Sequence, residues 1–453
     1  MPDAAPPPVD APRPVRSGEE LPLDDLTRLV RERLGRGADE PVVVEQFPGG
    51  HSNLTYLVRV GADEFVLRRP PFGAKAIKAG HDMGREYRVL ARLHPAYPKA
   101  PRPLFFCDEA ESPFGAPFYL MERVRGVIIR SKPPAGIDLT PDLLRRLSTG
   151  FVETLAELHA LDVQAVGLGD LGKPEGYLSR QLKGWTERYR NAQTDEVPDL
   201  ERAVAWLGAN LPAREAGASL IHNDFKFDNL VLDPNDLGKV VAVLDWEMVT
   251  VGDPLSDLGT AIAYWVEAGD EDAFRSLTFS LGPRPGSLSR REIGELYAEK
   301  SGRPVDHLVF YYCLALFKIA VIAQQIYFRY RKGMTSDERF APFGFAVAIL
   351  ARRAAEAAAK GSIDPLPAAP RGRARVRLRR FAASRRAAER AGRHSPGACG
   401  RGIEQGHELS RIDVEGRRHP PAGRSPLDPR SARARGLRAP ARRALPRGAR
   451  AHS

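Results

Sequence analysis

The stretch that most constrains this chain is residues 220–233, LIHNDFKFDNLVLD. Two apolar runs of strand character enclose the polar side chains of His222, Asp224, Lys226, Asp228 and Asn229 within eight positions. Downstream, LVLD and VVAVLDWE joined by PNDLGK read as a hairpin. Asp224 and Asn229 precede its first strand, and Asp245 ends its second. A hairpin of that length brings its open ends together, so the sequence predicts that Asp224, Asn229 and Asp245 converge on one side.

Two carboxylates and a carboxamide at one point form a hard-oxygen site. Such a set suits Mg²⁺, which keeps several waters and takes one or two carboxylates plus phosphate oxygens. An acid beside the metal but off it can accept the proton of an attacking hydroxyl. Lys226 can neutralise charge that builds on a transferred phosphoryl group. The order D-x-K-x-x-N, then a strand, then a second Asp is that of kinase catalytic and metal loops. The competing reading is a solvated loop whose Asp and Asn residues cap turns. It accounts for Asp224 and Asn229 alone, but not for Lys226 and Asp245 in register with them.

A phosphoryl-transfer site needs a nucleotide lobe. LPLDDLTRLVRERLG has helical spacing, and PVVVEQ, NLTYLVRV and EFVLRR follow as a β-meander. HDMGREYRVLARLHP reads as a crossing helix, and PLFFCDE and PFYLMERVRG as two more strands. Between the first two strands, FPGGHSN can fold over phosphates, offering Gly49, Gly50, Ser52 and Asn53. Arg68 in the third strand is a cation for the phosphates, and Glu86 on the next helix is its partner; a plain surface ion pair is the alternative. The second half is mainly helical, with an N-cap expected at Thr140. The long apolar run 305–333 carries Lys318, Gln324 and Gln325, which marks a buried core helix rather than a membrane span.

Taken together, GGHSNLTY, FVLRRPP, HDMGREYRVL, GAPFYLMERVRG, RQLKGW, HNDFKFDNLVLD and VLDWEMVTVGDPLSDLG run from about residue 43 to 258. They resemble the kinase-like phosphotransferases of the aminoglycoside and choline kinase superfamily, and more closely the kinase-like domain associated with acyl-CoA dehydrogenases. The resemblance implies an α+β, bilobal protein-kinase-like fold. A small, mostly antiparallel β N-lobe (21–122) would bind nucleotide, and a larger, mainly helical C-lobe (123–360) would hold the catalytic loop and the acceptor.

The same resemblance implies ATP and Mg²⁺ in the cleft. Asp224 is then the catalytic base with Lys226 beside it, and Asn229 and Asp245 are the metal ligands. Arg68 contacts phosphate with Glu86 as its partner, while Met121, Glu122 and Val124 hold the adenine. His222 and Asp257 brace the loop. Arg68 stands where many kinases have Lys, a non-equivalent group, and Asn223 stands where HGD has Gly. The implied function is phosphorylation of a small-molecule hydroxyl, with a hydroxyacyl-CoA or related lipid-catabolic compound as acceptor and a functional link to an acyl-CoA dehydrogenase. The alternatives are a catalytically weak pseudokinase partner of such a dehydrogenase and an aminoglycoside-type antibiotic kinase. Trp185, Tyr189, Tyr311 and Tyr312 are the aromatic candidates for the acceptor wall, although each is of a type more often found in the core than on a ligand wall.

The net charge of +11 resembles a nucleic-acid signal, but its distribution argues otherwise. Residues 371–453 hold 23 of the 68 basic residues, all arginine, and 6 of the 57 acidic ones, so the tail carries +17 and the rest −6. The tail lacks a sustained period and is expected to be a disordered extension (361–453). A basic arm is the functional alternative, but the absence of Lys points to frame-shifted translation of GC-rich sequence, so no specific nucleic-acid partner is expected. The Pro-rich segment 1–20 is also expected to be disordered. Three well-separated cysteines fit a reducing compartment, and no signal-peptide order is seen, so a cytoplasmic location is expected.

Overall fold

The structure, a computed structural model, describes residues 10–47, 53–72, 82–131, 133–134, 136–277, 281, 283–335 and 337–365. Five antiparallel strands, β1 (Val42–Gln46), β2 (Leu54–Val60), β3 (Asp63–Arg69), β4 (Pro103–Cys107) and β5 (Phe118–Glu122), pair in the order β1-β2-β3-β5-β4. The period of two along the strands sorts their side chains. On β3 and β5, Leu67, Phe118 and Leu120 join Leu26 and Val30 of helix α1 (Leu23–Leu34) on one face. Val66, Tyr119 and Met121 join Val89 and Leu90 of helix α2 (Met83–Leu93) on the other. Arg68, two residues beyond Val66, therefore points towards α2, where the site lies.

Residues 10–20 depart from expectation. Arg13 exchanges two backbone hydrogen bonds of 2.8 Å with Gln46, and the Tyr56 hydroxyl donates to the Glu19 carbonyl at 2.8 Å. β1 is an edge strand with unpaired backbone groups. An extended, Pro-rich segment can lie along such an edge wherever a residue keeps its N–H, as Arg13 does.

The second lobe holds α3 (Pro141–His159), α4 (Tyr177–Asn191), α5 (Pro198–Ala209), α6 (Pro254–Ala263), the short α7 (Asp272–Arg275), α8 (Arg290–Ser301), α9 (Leu308–Arg331) and α10 (Phe343–Lys360). Thr140 caps α3 by accepting from the Leu143 N–H at 3.2 Å. Among the described residues α9 alone is long and apolar enough to cross a membrane. It packs instead against α4, α5, α6 and α10, and the buried Gln324 amide donates to the Ala192 carbonyl at 2.8 Å. The α9 run is therefore the core helix that its internal polar residues imply.

Two small antiparallel pairs carry the motif segment: β6 (Ser219–Ile221) with β9 (Thr250–Gly252), and β7 (Leu230–Asp233) with β8 (Asp236–Val243). The β7–β8 turn is tighter than the six residues expected, because Asp233 pairs with Asp236 and only Pro234 and Asn235 remain between.

The folded body also runs past 360. Gly361 turns the chain at φ +64, and the buried Ile363 offers its carbonyl to Arg290 Nε at 2.8 Å and Arg353 Nη2 at 2.9 Å. Arg290 is fully buried and paired with Asp270 at 2.6 Å. Residues 361–365 thus complete the shell of a buried charge pair and do not belong to the tail. The tail from 366 onward, like residues 1–9, lies outside the described residues.

Candidate active site

Alternation explains the charged residues of the 220–233 segment. Phe225 and Phe227 point inward, their rings 4.8 and 5.0 Å from Phe151. Asp224, Lys226 and Asp228, between and beside them, line a cavity between the lobes. The aromatic anchors hold the loop while the intervening side chains face outward. Asn229 Nδ2 donates to the Asp224 carbonyl at 2.9 Å and to Asp224 Oδ2 at 3.1 Å. Lys226 Nζ lies 2.7 Å from the same oxygen. Burial works against the lysine charge, yet Asp224 holds its pKa above the ordinary value.

The hairpin brings Asp245 to this point, as the sequence predicts. Leu230 pairs with Val243, and the Leu244 N–H donates to the Asn229 carbonyl at 2.8 Å. Asp245 takes a left-handed backbone, φ +69, rarely adopted by non-glycine residues. The next residue secures it: Trp246 buries its ring against His222, centroids 5.1 Å apart, and its backbone N–H donates to Glu86 Oε1 at 3.2 Å.

Arg68 joins the two lobes. Its guanidinium lies 2.9 Å from Glu86 Oε1 on α2, 2.9 Å from Asp245 Oδ1 and 3.7 Å from Glu247 Oε2. This is a buried network, not the surface ion pair held open as the alternative. Burial works against the Asp245 anion, but Arg68 outweighs it and holds the carboxyl below the usual aspartate range. Asn53 donates to Glu247 Oε2 at 2.6 Å, which ties the start of β2 to the same network. Gly49, Gly50 and Ser52 lie outside the described residues.

The loop is braced from behind. Asp257 on α6 is fully buried and accepts from the His222 N–H at 2.6 Å, the Asn223 N–H at 2.8 Å and His159 Nε2 at 3.2 Å. Burial alone would raise its pKa; these donors, His159 first, hold it below the ordinary aspartate value. His222 Nε2 meets the Leu244 carbonyl at 2.9 Å, linking both strands of the site. Asn223 sits at φ +66, the left-handed conformation that glycine favours.

The cavity has a volume of about 490 Å³. Met121, Glu122 and Val124 line its linker side, with Phe47 and Ile128 nearby. Of the aromatics weighed between acceptor wall and core, Tyr189, Tyr311 and Tyr312 are core residues, the more common placement, with Tyr311 donating to Asp253 at 2.8 Å. Trp185 stands behind the wall, reached through Lys318, whose Nζ is 5.9 Å from its ring.

A family model described as the phosphotransferase enzyme family matches residues 43–292. The chain belongs to this family. Acyl-CoA dehydrogenase family member 10 of Mus musculus is 34% identical over 327 residues, 72% of this chain and 30% of its own length. Acyl-CoA dehydrogenase family member 11 of Homo sapiens is 34% identical over 306 residues, 67% of this chain and 38% of its own length. The phosphotransferase thus spans well under half of these curated relatives. A solved chain from Ralstonia eutropha JMP134, provisionally named an aminoglycoside phosphotransferase, superposes with a TM-score of 0.63 at 30% identity, over 75% of this chain and 99% of that one. The resemblance to the kinase-like domain associated with acyl-CoA dehydrogenases, and the two-lobed α+β architecture, are borne out.

Sequence reasoning missed several residues of the cavity. Tyr264 donates to Asp224 Oδ1 at 3.1 Å, Glu247 joins the Arg68 network, and Lys318 enters the cavity from α9. Glu247 carried a signal, two residues after Asp245 on the same turn. Tyr264 and Lys318 carried none, because each reaches the loop from a helix distant in sequence.

Proposed function

We propose that this phosphotransferase moves the γ-phosphoryl group of ATP to the hydroxyl of a small molecule, a hydroxyacyl-CoA or related lipid-catabolic compound. The observation that carries the proposal is the meeting of Asp224, Asn229, Asp245 and Arg68 on the wall of one cavity between the lobes. The acceptor class rests on the names of the relatives.

Asp224 is placed to orient the acceptor hydroxyl and take its proton as the oxygen attacks the γ-phosphorus and the bond to the β-phosphate oxygen breaks. Arg68, held by Glu86, faces the phosphates, and its planar fork offers parallel donors that a lysine lacks. Met121, Glu122 and Val124 border the space for the adenine. The donor set fits Mg²⁺. The Asn229 amide makes both of its hydrogen bonds through Nδ2, so its carbonyl oxygen accepts no hydrogen bond among the described residues. Asp245 gives one oxygen to Arg68, leaving the other for a ligand. No group of three or more acidic, His or Cys side chains arranged to hold a metal ion is present among the described residues. A site of one carboxylate and one amide suits an ion that draws its other ligands from phosphates and water. When bound there, Mg²⁺ supplies charge neutralisation to the phosphates.

The test follows ADP release from Mg-ATP against hydroxyacyl-CoAs, choline, simple sugars and aminoglycosides. Asp224→Ala is expected to lower kcat by about 10²–10⁴-fold while nucleotide affinity is kept. Turnover that survives in Asp224→Ala would remove the assigned base and with it this reading.

A further inference from the structure

We infer that Lys318 is the acceptor-recognition cation of this site: it receives an oxyanion of the hydroxyl-bearing substrate, which makes the acceptor an anionic hydroxy compound. This inference rests on the phosphotransferase reading above and adds the charge class of the substrate and the residue that selects it.

Lys318 stands in the middle of α9, its side chain about nine-tenths buried, and still lines the cavity. An ammonium group has three donors. Two meet neutral oxygens of Asn223, the carbonyl at 3.3 Å and Oδ1 at 3.2 Å. Among the described residues no carboxylate lies within ion-pair distance of Lys318. Burying a cation without a counter-charge is costly, and chains generally avoid it by pairing the group or leaving it at the surface. This one does neither.

The surroundings of Lys318 favour an anion as its partner. Burial pulls the Lys318 pKa below the ordinary lysine value, and the attraction of Asp257 and Asp224 opposes that pull. Arg188 on α4 acts in the same direction as burial and lies over the Trp185 ring, 4.6 Å from its centroid. Asp257 is spent on His222, Asn223 and His159, and Asp224 on Lys226, Asn229 and Tyr264. Asn223 immediately precedes Asp224, so a negative group on Lys318 sits close to the hydroxyl that Asp224 orients. A polycationic acceptor would meet Lys318 with like charge.

A strut for the left-handed turn at Asn223 is the competing role. That turn already has two other ties, the Asn223 N–H to Asp257 and its side-chain amide to the Met248 carbonyl at 3.0 Å. The third donor of Lys318 has no part in it.

The experiment is calorimetric titration of the full chain, loaded with Mg-ADP, with three matched probes: 6-hydroxyhexanoate, its CoA thioester and neutral hexane-1,6-diol. At least one anionic probe should bind about tenfold or more tightly than the diol. The stronger of the two anionic probes then distinguishes a free carboxylate from a CoA-borne anion. Lys318→Met should remove that preference, leave diol and Mg-ADP affinity within about twofold, and be rescued in large part by Lys318→Arg. The inference fails if neither anionic probe outbinds the diol. It also fails if Lys318→Met weakens Mg-ADP and all probes together, the mark of a strut. Failure of wild type to bind Mg-ADP counts against the phosphotransferase reading instead. The probe titrations repeated without nucleotide still decide the role of Lys318.

Discussion

At the sheet end of the cavity one guanidinium, Arg68, lies among three carboxylates, Glu86, Asp245 and Glu247. At the helical end the ammonium of Lys318 meets, among the described residues, the two carbonyl oxygens of Asn223 and lies over the Trp185 ring, 5.9 Å from its centroid. The first end has a surplus of negative charge, although nucleotide phosphates are themselves anions. It is therefore suited to phosphates that arrive with a divalent cation. The second end offers a cation with no carboxylate within ion-pair distance among the described residues and suits an anion that arrives alone. Both ends act on the same loop, because Asn223 and Asp224 are neighbours.

Removing Arg68 should break the first end most severely. Arg68→Met leaves Glu86 buried beside Asp245 with no cation between them, and such an uncompensated charge costs about 3–5 kcal/mol. Thermal unfolding should register the loss, and nucleotide affinity should fall with it. Adding Glu86→Gln to Arg68→Met should recover much of the stability and none of the nucleotide affinity. Equal recovery of both would mean that Arg68 never faced the phosphates.

Asp257 braces both ends at once, and its protonation gives a pH test. Its folded pKa lies below the ordinary aspartate value of 3.8. The unfolded chain therefore binds that proton at higher pH than the folded one. The stabilisation is present above about pH 4 and is lost as the pH falls through the depressed folded value. Asp257→Asn should lower stability at neutral pH by about 2–4 kcal/mol and flatten the acid limb of the stability profile. An unchanged acid limb would move its origin to other carboxylates.

How much of this was legible beforehand depends on how local each feature is. The hairpin that joins Asn229 to Asp245 could be read, because its strands are adjacent in sequence and its turn lies between them. The pairing of Arg68 with Glu86 could be read as far as register: Arg68 sits two residues past Val66 on the face that meets α2. The docking of residues 10–20 could not, since it depends on β1 being an edge, a property of the finished sheet. Residues 361–365 were assigned to the tail because the carbonyls that serve Arg290 and Arg353 have no side-chain signature. Lys318 was read correctly as part of a buried helix, but periodicity gives no sign that its tip reaches Asn223, 95 residues away.

A smaller effect is expected from Tyr264→Phe, which deletes one hydroxyl from Asp224 and leaves the ring. Asp224 keeps Lys226 and Asn229 but gains rotational freedom, so kcat should fall about 3–10-fold with nucleotide affinity unchanged. A loss as large as that of Asp224→Ala would make the tyrosine a direct participant and shift the balance of the acceptor end away from Lys318.

The smallest expected effect is the most discriminating between the two ends. Asn223→Gly relieves a left-handed backbone that an L side chain adopts at some cost, while it adds freedom to the unfolded chain. It also deletes the amide bond to the Met248 carbonyl and one of the two oxygens that hold Lys318. These terms oppose one another, so stability should change by less than about 1 kcal/mol. Nucleotide affinity should not move, because Arg68, Asp245 and Glu247 make no contact through Asn223. The affinity for an anionic acceptor should change, since Lys318 keeps only the backbone oxygen and its tip is freer to turn into the cavity. If Asn223→Gly altered nucleotide and acceptor binding alike, the loop would be transmitting strain between the ends. The two would then be one coupled site rather than two oppositely charged halves meeting at Asp224.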